Sequence, residues 1–305
     1  MSITRRSRLE AARENARAGW YRYLYKPYYL RSPKRLVNRF TGDMTVSETG
    51  LPWKLPISFQ PGSIIGTQLV RTGVHDLVLS EALFRVTEPG DVCLDVGANI
   101  GYTTSLLATR SGPGGRVISY EPAPDTFALL SKNVQSWRGA PIADIQIRQM
   151  AVSSEESQLM LTTPVAHRGD PGGRTLEEVS DRLAAIPVQC STLDGAGVDN
   201  IGVLKIDVEG HELAVLQGCQ RLLERRDIRD VVFEEHRSPP TAVTRRLSEA
   251  GYTVFRIEQK LGGPRLVERI EDEFPIYWDA PNYLATVEPG RALERFRPLG
   301  WRCLR

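Results

Sequence analysis

Between residues 91 and 149 short apolar runs alternate with stretches of helical spacing, and this alternation restricts the fold more than any other feature. Asp91–Asp95 (DVCLD) is short, apolar and β-prone, which predicts a buried strand. A helix is expected after Gly101. Gly112–Gly115 makes a turn, and Arg116–Tyr120 (RVISY) reads as a second strand. Pro124 stands at a helix start, with Phe127, Leu130, Val134 and Trp137 at helical spacing behind it. Ile145–Gln149 is the third strand. A βαβαβ order of this kind demands a parallel sheet with helices on both faces, and right-handed crossovers fix its topology.

The rhythm breaks over 155–193. Gln158–Thr163 and Pro187–Leu193 are β-prone and flank a polar, glycine-rich loop, His167–Arg174, which is a candidate for substrate contact. The rhythm then resumes. Strands are expected at Val203–Asp207, Val231–Glu235, Tyr252–Ile257 and Tyr283–Val287, and helices at Glu212–Leu223 and Thr241–Ala250. Leu77, Val78, Leu79, Ala82, Leu83 and Phe84 suit a helix on the sheet, ended by Pro89-Gly90. The boundaries follow: residues 76–305 form the α/β domain, and residues 1–75 an N-terminal extension. Within the extension, 1–40 reads as a helical arm interrupted at Pro27 and Pro33. Residues 41–75, rich in turn residues, read as an irregular, lid-like piece.

The charge of the 305 residues is only +2, which gives no nucleic-acid signature. It is unevenly spread. The first forty residues hold eleven Lys and Arg against Glu10 and Glu14, so the rest of the chain is acidic. The four cysteines form no CxxC pair, which argues against a zinc ribbon or a thioredoxin-type motif and fits a reducing compartment. No apolar run approaches a membrane span, and no signal-type apolar region follows the basic start, so a cytoplasmic protein is expected.

The sharpest local signal is Asp95-Val-Gly97-Ala98-Asn99-Ile-Gly101, which joins the first strand to its helix. Glycines there let the backbone approach a ligand closely, and the helix N-terminus adds partial positive charge. The pattern is DxGxNxG rather than GxGxxG. A carboxylate at Asp95 suits the amino group of an amino-acid moiety better than a phosphate. Glu121 ends the second strand, placed to accept hydrogen bonds from both hydroxyls of a ribose, and Pro122 turns the chain away.

With these words in place the sequence resembles the FkbM family of methyltransferases over roughly residues 75–290. The resemblance rests on DVGANIGY at 95–102, YEPAPDTFALLSKNV at 120–134, AVSS at 151–154, STLD at 191–194, LKIDVEGHELAVLQG at 204–218 and VVFEEH at 231–236. It implies a Rossmann-like class I fold, with a seven-stranded, mostly parallel sheet whose last strand is antiparallel. It also implies S-adenosylmethionine as cofactor. Carried over by motif, Asp95, Gly97, Ala98, Asn99 and Gly101 surround the methionine part, Glu121 and Pro122 the ribose, Ala151 lies near adenine, and Asp207 faces the sulfonium.

An alcohol acceptor needs alignment and loss of a proton. Candidates cluster at the carboxyl ends of the fourth and fifth strands: Asp207, Glu209, His211 and Glu212, then Glu234, Glu235 and His236. Asp207, His211, Glu234 and His236 are the expected catalytic group. Blander roles compete, with Glu212 or Glu209 serving the helix start and His211 pairing with one of these carboxylates. Alternation puts Glu234 and His236 on one face, with Asp207 on the neighbouring strand. That set resembles the carboxylate site of catechol-type methyltransferases, which holds Mg2+, and makes a hard cation the alternative route to an activated hydroxyl. No metal ligand is assigned.

The expected activity is methyl transfer from S-adenosylmethionine to a hydroxyl of a small molecule, a sugar or natural-product intermediate. The alternatives are N-methylation of amide side chains in a modified peptide and a non-catalytic S-adenosylmethionine-binding module. Nucleic-acid substrates are not expected, because the catalytic region is acidic and lacks an NPPY-type motif. The tyrosine-rich arm is read as an oligomer contact or a lid, ahead of docking to an acidic partner or an anionic membrane.

Overall fold

The computed structural model describes residues 47–164, 174–176, 182–235, 237, 239–260, 262–268 and 281–304. The basic arm, most of the 167–174 loop and His236 lie outside the described residues.

The described chain opens with a two-stranded ribbon, β1 (Glu48–Gly50) and β2 (Pro56–Ser58), then helices α1 (Ile64–Thr72) and α2 (Leu77–Val86). Ser63 caps α1, and Gly73 ends it in the left-handed conformation. Asp76 caps α2 through the amides of Val78 and Leu79. The alternating unit follows: β3 (Val92–Val96), α3 (Tyr102–Ser111), β4 (Arg116–Tyr120), α4 (Pro124–Ser136) and β5 (Asp144–Arg148). Next come β6 (Ala151–Val152), β7 (Ser157–Pro164) and β8 (Arg182–Ser191). The second half holds β9 (Ile201–Ile206), α5 (Glu212–Gln217), α6 (Gln220–Glu224), β10 (Ile228–Glu234), α7 (Ala242–Glu249), β11 (Thr253–Lys260), β12 (Gly263–Val267), β13 (Asn282–Thr286) and α8 (Pro289–Phe296).

The main sheet has the order β12-β11-β13-β10-β9-β3-β4-β5. Strands β10, β9, β3, β4 and β5 run parallel, and β13 runs antiparallel to both β10 and β11. This is the class I arrangement implied by the resemblance, with one correction. The sheet has eight strands rather than seven, because the chain folds back after β11 and adds β12 to the edge. A separate sheet, β6-β8-β7, stands beside it.

Strand alternation sends neighbouring residues into two different cores. Leu94, Ile118, Leu204, Ile206, Val231 and Phe233 pack against Val215, Leu216, Leu223 and Leu247 of the later helices. Cys93, Val117, Val203 and Val232 pack against Leu79, Leu83, Leu106 and Phe296 on the opposite face. All four cysteines are buried and free. Residues 51–74 form a third core that includes Ile57, Phe59 and Leu69 together with Ile100, Tyr102, Trp301 and Cys303. The stretch expected to be irregular thus contains a helix and shares its core with the start of α3.

The helix expected over Glu212–Leu223 is broken in two. Gly218 lies at the break, where a β-carbon would meet the carbonyl oxygen of Ser153 at 1.9 Å. The close approach of the loop after β6 to this point needs glycine and stops a continuous helix. Among the described residues, no helix is long and apolar enough to cross a membrane.

Candidate active site

The strand order reverses between β3 and β9, since β4 and β5 lie on one side and β10 on the other. In open α/β sheets ligands bind outside the carboxyl ends of the strands at such a reversal. The motif residues converge there.

The turn after β3 is tightly determined. Gly97 has φ 77° and Asn99 φ 49°. A β-carbon on Gly97 would lie 1.9 Å from the carbonyl oxygen of Asp207, so only glycine lets the β3 turn close onto the end of β9. The amides of Gly97 and Ala98 both donate to the carbonyl of Tyr120. Gly101 begins α3 in the left-handed conformation, and a β-carbon there would press on Leu130.

Glu121 reaches back to this turn. Its Oε2 accepts from the amide of Asn99 and its Oε1 from the amide of Ala123, both at 2.9 Å. Burial pushes its pKa up to about 7, against the pull of these amides and of Lys205 and Arg174. Each carboxylate oxygen keeps acceptor capacity beyond its one amide. Pro122 is half-buried behind it. Ala151 is buried with Ala123, Leu161, Val188 and Cys190 in a small core under the same region.

Asp95 is not an open carboxylate. It is wholly buried, and Thr103 and Thr104 both donate to its Oδ2, at 2.8 and 2.7 Å. Its Oδ1 lies 3.2 Å from Lys205 Nζ. In this structure the contacts of Asp95 are to the protein's own hydroxyls and ammonium. Lys205, on β9 directly opposite Asp95 in the register, was missed by motif reading. The available signal was a lysine inside an apolar buried strand, which must have partners. It donates to the carbonyls of Gly97 (2.7 Å) and Val96 (3.3 Å) and lies 3.7 Å from Asp207 Oδ2. Burial works against its charge, but Asp95 and Asp207 outweigh it, and its pKa lies above the ordinary lysine value.

Asp207 and Glu234 end the adjacent strands β9 and β10, one step beyond the paired Ile206 and Phe233. Burial, then the charges of Asp207, Asp76, Glu209 and Glu212, push the pKa of Glu234 up to about 9. Asp76 enters from α2, held by the side-chain amide of Asn282, which pairs with Glu234 across β13. Sequence reading had no route to Asp76, which is brought in by tertiary structure alone.

The remaining candidates divide. His211 Nε2 lies 3.0 Å from Ser153 Oγ, which brings the loop after β6 to this candidate. Glu212 turns back to accept from the amide of Gly210 at 3.1 Å and is buried. Glu235 is buried and accepts from the amide of Arg237. The Glu209 carbonyl accepts from Thr175 Oγ1 at 2.7 Å, and the neighbouring Arg174 forks onto both oxygens of Asp125. Residues 174 and 175 thereby tie the start of α4 to the loop after β9. Among the described residues, no group of three or more His, Cys, Asp or Glu is arranged to hold a metal ion, so the cation route finds no support there.

This strand order, with acidic residues closing β4, β9 and β10 around a glycine turn, defines a Rossmann-like class I methyltransferase. Residues 95–254 match the family profile described as the methyltransferase FkbM domain. The chain is 34% identical over 185 residues to the hexuronic acid methyltransferase AglP of Haloferax volcanii, covering 58% of this chain and 69% of that protein. It is 36% identical over 178 residues to the 31-O-demethyl-FK506 methyltransferase FkbM of Streptomyces tacrolimicus, covering 48% and 66%. A solved methyltransferase FkbM from Methylobacillus flagellatus aligns with a TM-score of 0.42 and 16% identity, over 72% of this chain and 52% of that one. The chain belongs to the FkbM methyltransferase family.

Proposed function

We propose that this chain methylates a hydroxyl group of a small molecule, a sugar or natural-product intermediate, using S-adenosylmethionine. The observation that carries the reading is the pairing of two sites along one sheet edge. The Asn99–Glu121 cradle suits a ribose, and the Asp207 and Glu234 carboxylates lie at the ends of β9 and β10, two and three strands from β4. The activities for which AglP and FkbM are named, on a hexuronic acid and on 31-O-demethyl-FK506, support the choice of acceptor class.

S-adenosylmethionine supplies a methyl group already activated on a sulfonium. The protein then has three tasks. The glycine turn surrounds the methionine part and Glu121 holds the ribose. Asp207, steadied by Lys205, faces the reacting end. Glu234 receives the hydroxyl proton on its carboxylate as the acceptor oxygen attacks. A carboxyl group with a raised pKa is a stronger base once ionised. A positive charge entering the cluster favours that ionised form. His211 acts through Ser153, and His236 keeps the catalytic role proposed from its motif.

The test is mass spectrometry of an acceptor panel incubated with S-adenosylmethionine: glycosides, hydroxylated macrocycles, and peptides bearing amide side chains. Methyl gain on a hydroxyl is the expected result. Methyl gain confined to amide nitrogen, or cofactor binding with no turnover on any hydroxyl, would overturn it.

A further inference from the structure

Lys205 is flanked in β9 by Leu204 and Ile206, and all three are buried. An aliphatic side chain would satisfy the packing of such a strand. An ammonium persists there only because its partners outweigh the loss of water. Those partners are concentrated. The carbonyls of Val96 and Gly97 and the carboxylate of Asp95 belong to the end of β3 and its turn. The carboxylate of Asp207 belongs to the end of β9. One ammonium therefore ties the glycine turn to the residue assigned to the reacting end.

The charges also matter. Asp95 and Asp207 bring two negative charges and Lys205 one positive, leaving one net negative charge behind the glycine turn. S-adenosylmethionine carries a sulfonium, whereas its demethylated product is neutral at sulfur. We propose that Lys205 is a positioning residue with a second consequence. By cancelling one of these two negative charges, that of the buried Asp95 or that of the part-exposed Asp207, it sets how strongly the site prefers the cationic cofactor to the neutral product. The inference rests on the methyl-transfer reading above.

A lysine present only for packing would change both affinities together. One acting through charge changes their ratio. The experiment is calorimetric titration of S-adenosylmethionine and S-adenosylhomocysteine into the wild-type chain and three variants, each checked for folding by circular dichroism. Lys205→Met raises the ratio of product Kd to cofactor Kd by about tenfold, a modest share of what a buried unit charge exerts at short range. Asp95→Asn, whose amide oxygen can still accept from Thr103 and Thr104, shifts the ratio in the opposite direction. Lys205→Arg keeps the charge but not the fit, and weakens both ligands with the ratio held. A constant ratio in folded Lys205→Met or folded Asp95→Asn overturns the charge role. The Asn variant still decides the matter should Lys205→Met fail to fold. Failure of the wild type to bind either ligand would instead defeat the methyl-transfer reading itself.

Discussion

The amide of Asn99 donates to Glu121 Oε2 at 2.9 Å, so the turn that follows β3 is fastened to the residue that ends β4. The bond makes the conformation of the turn and the position of the carboxylate one property. It also explains why a left-handed residue, Asn99, sits between two left-handed glycines.

Glu121→Gln separates binding from stability. The folded pKa of Glu121, about 7, is raised by burial above the ordinary 4.5. Between these values the folded chain binds more protons than the unfolded one, so this group costs stability as pH rises. The stability difference shifts in the variant's favour from pH 5 to 8, by up to about 3 kcal/mol, against a pH-independent cost because the Gln NH2 cannot accept from one of the Asn99 and Ala123 amides. The variant loses cofactor affinity over the same range. Thermal melts and calorimetry at both pH values check the pair of outcomes.

Gly97→Ala fails for a steric reason. Its β-carbon would fall 1.9 Å from the Asp207 carbonyl, in a left-handed conformation. We expect a loss of at least about 3 kcal/mol in chemical denaturation, above the usual range for single substitutions.

Glu234→Gln lowers kcat by about 10^2–10^4 with KM for the acceptor nearly unchanged, the signature of a lost proton acceptor. In the wild type, kcat/KM rises with pH, because the base form appears as Glu234 loses its proton. That limb has an apparent pKa at or below about 9, since a bound cation lowers it. A flat profile from pH 6 to 9 argues for another base.

His211→Ala has a smaller effect, less than about tenfold in kcat, because the ring stands 3.0 Å from the Ser153 hydroxyl and acts through it. Steady-state kinetics of His211→Ala beside Glu234→Gln rank the two groups directly. A loss for His211 as large as that for Glu234 would reverse their roles.

Arg85→Ala costs about 3–5 kcal/mol. It strands Glu81, a fully buried partner, and leaves the carbonyls of Arg295, Pro298 and Gly300 without their donor. Limited proteolysis after residue 297 should quicken in step with the stability loss.

What was legible in the sequence was local. Gly97, Gly101 and Glu121 sit in short words whose spacing dictates a strand, a turn and a strand, and the structure places them accordingly. Lys205 was hidden because one lysine among apolar residues looks like noise until the register sets it opposite Asp95. Asp76 reaches Glu234 only through α2 and Asn282, partners separated by 206 positions. The break at Gly218 and the fold-back of β12 likewise depend on what lies across the structure. Periodicity along the chain does not encode such encounters.

The pair Glu81–Arg85 has a consequence for synthesis. Arg85 finds its acceptor at Gly300, 215 positions further on, and Glu81 accepts from the amide of Cys303. At about 5–20 residues per second, a ribosome needs roughly 10–40 s to make the intervening chain. Through that interval α2 carries a salt bridge whose burial cannot yet be completed. The nascent α/β unit waits, half-assembled and open to chaperones, for a strip of backbone carbonyls made long after the helix they will cover.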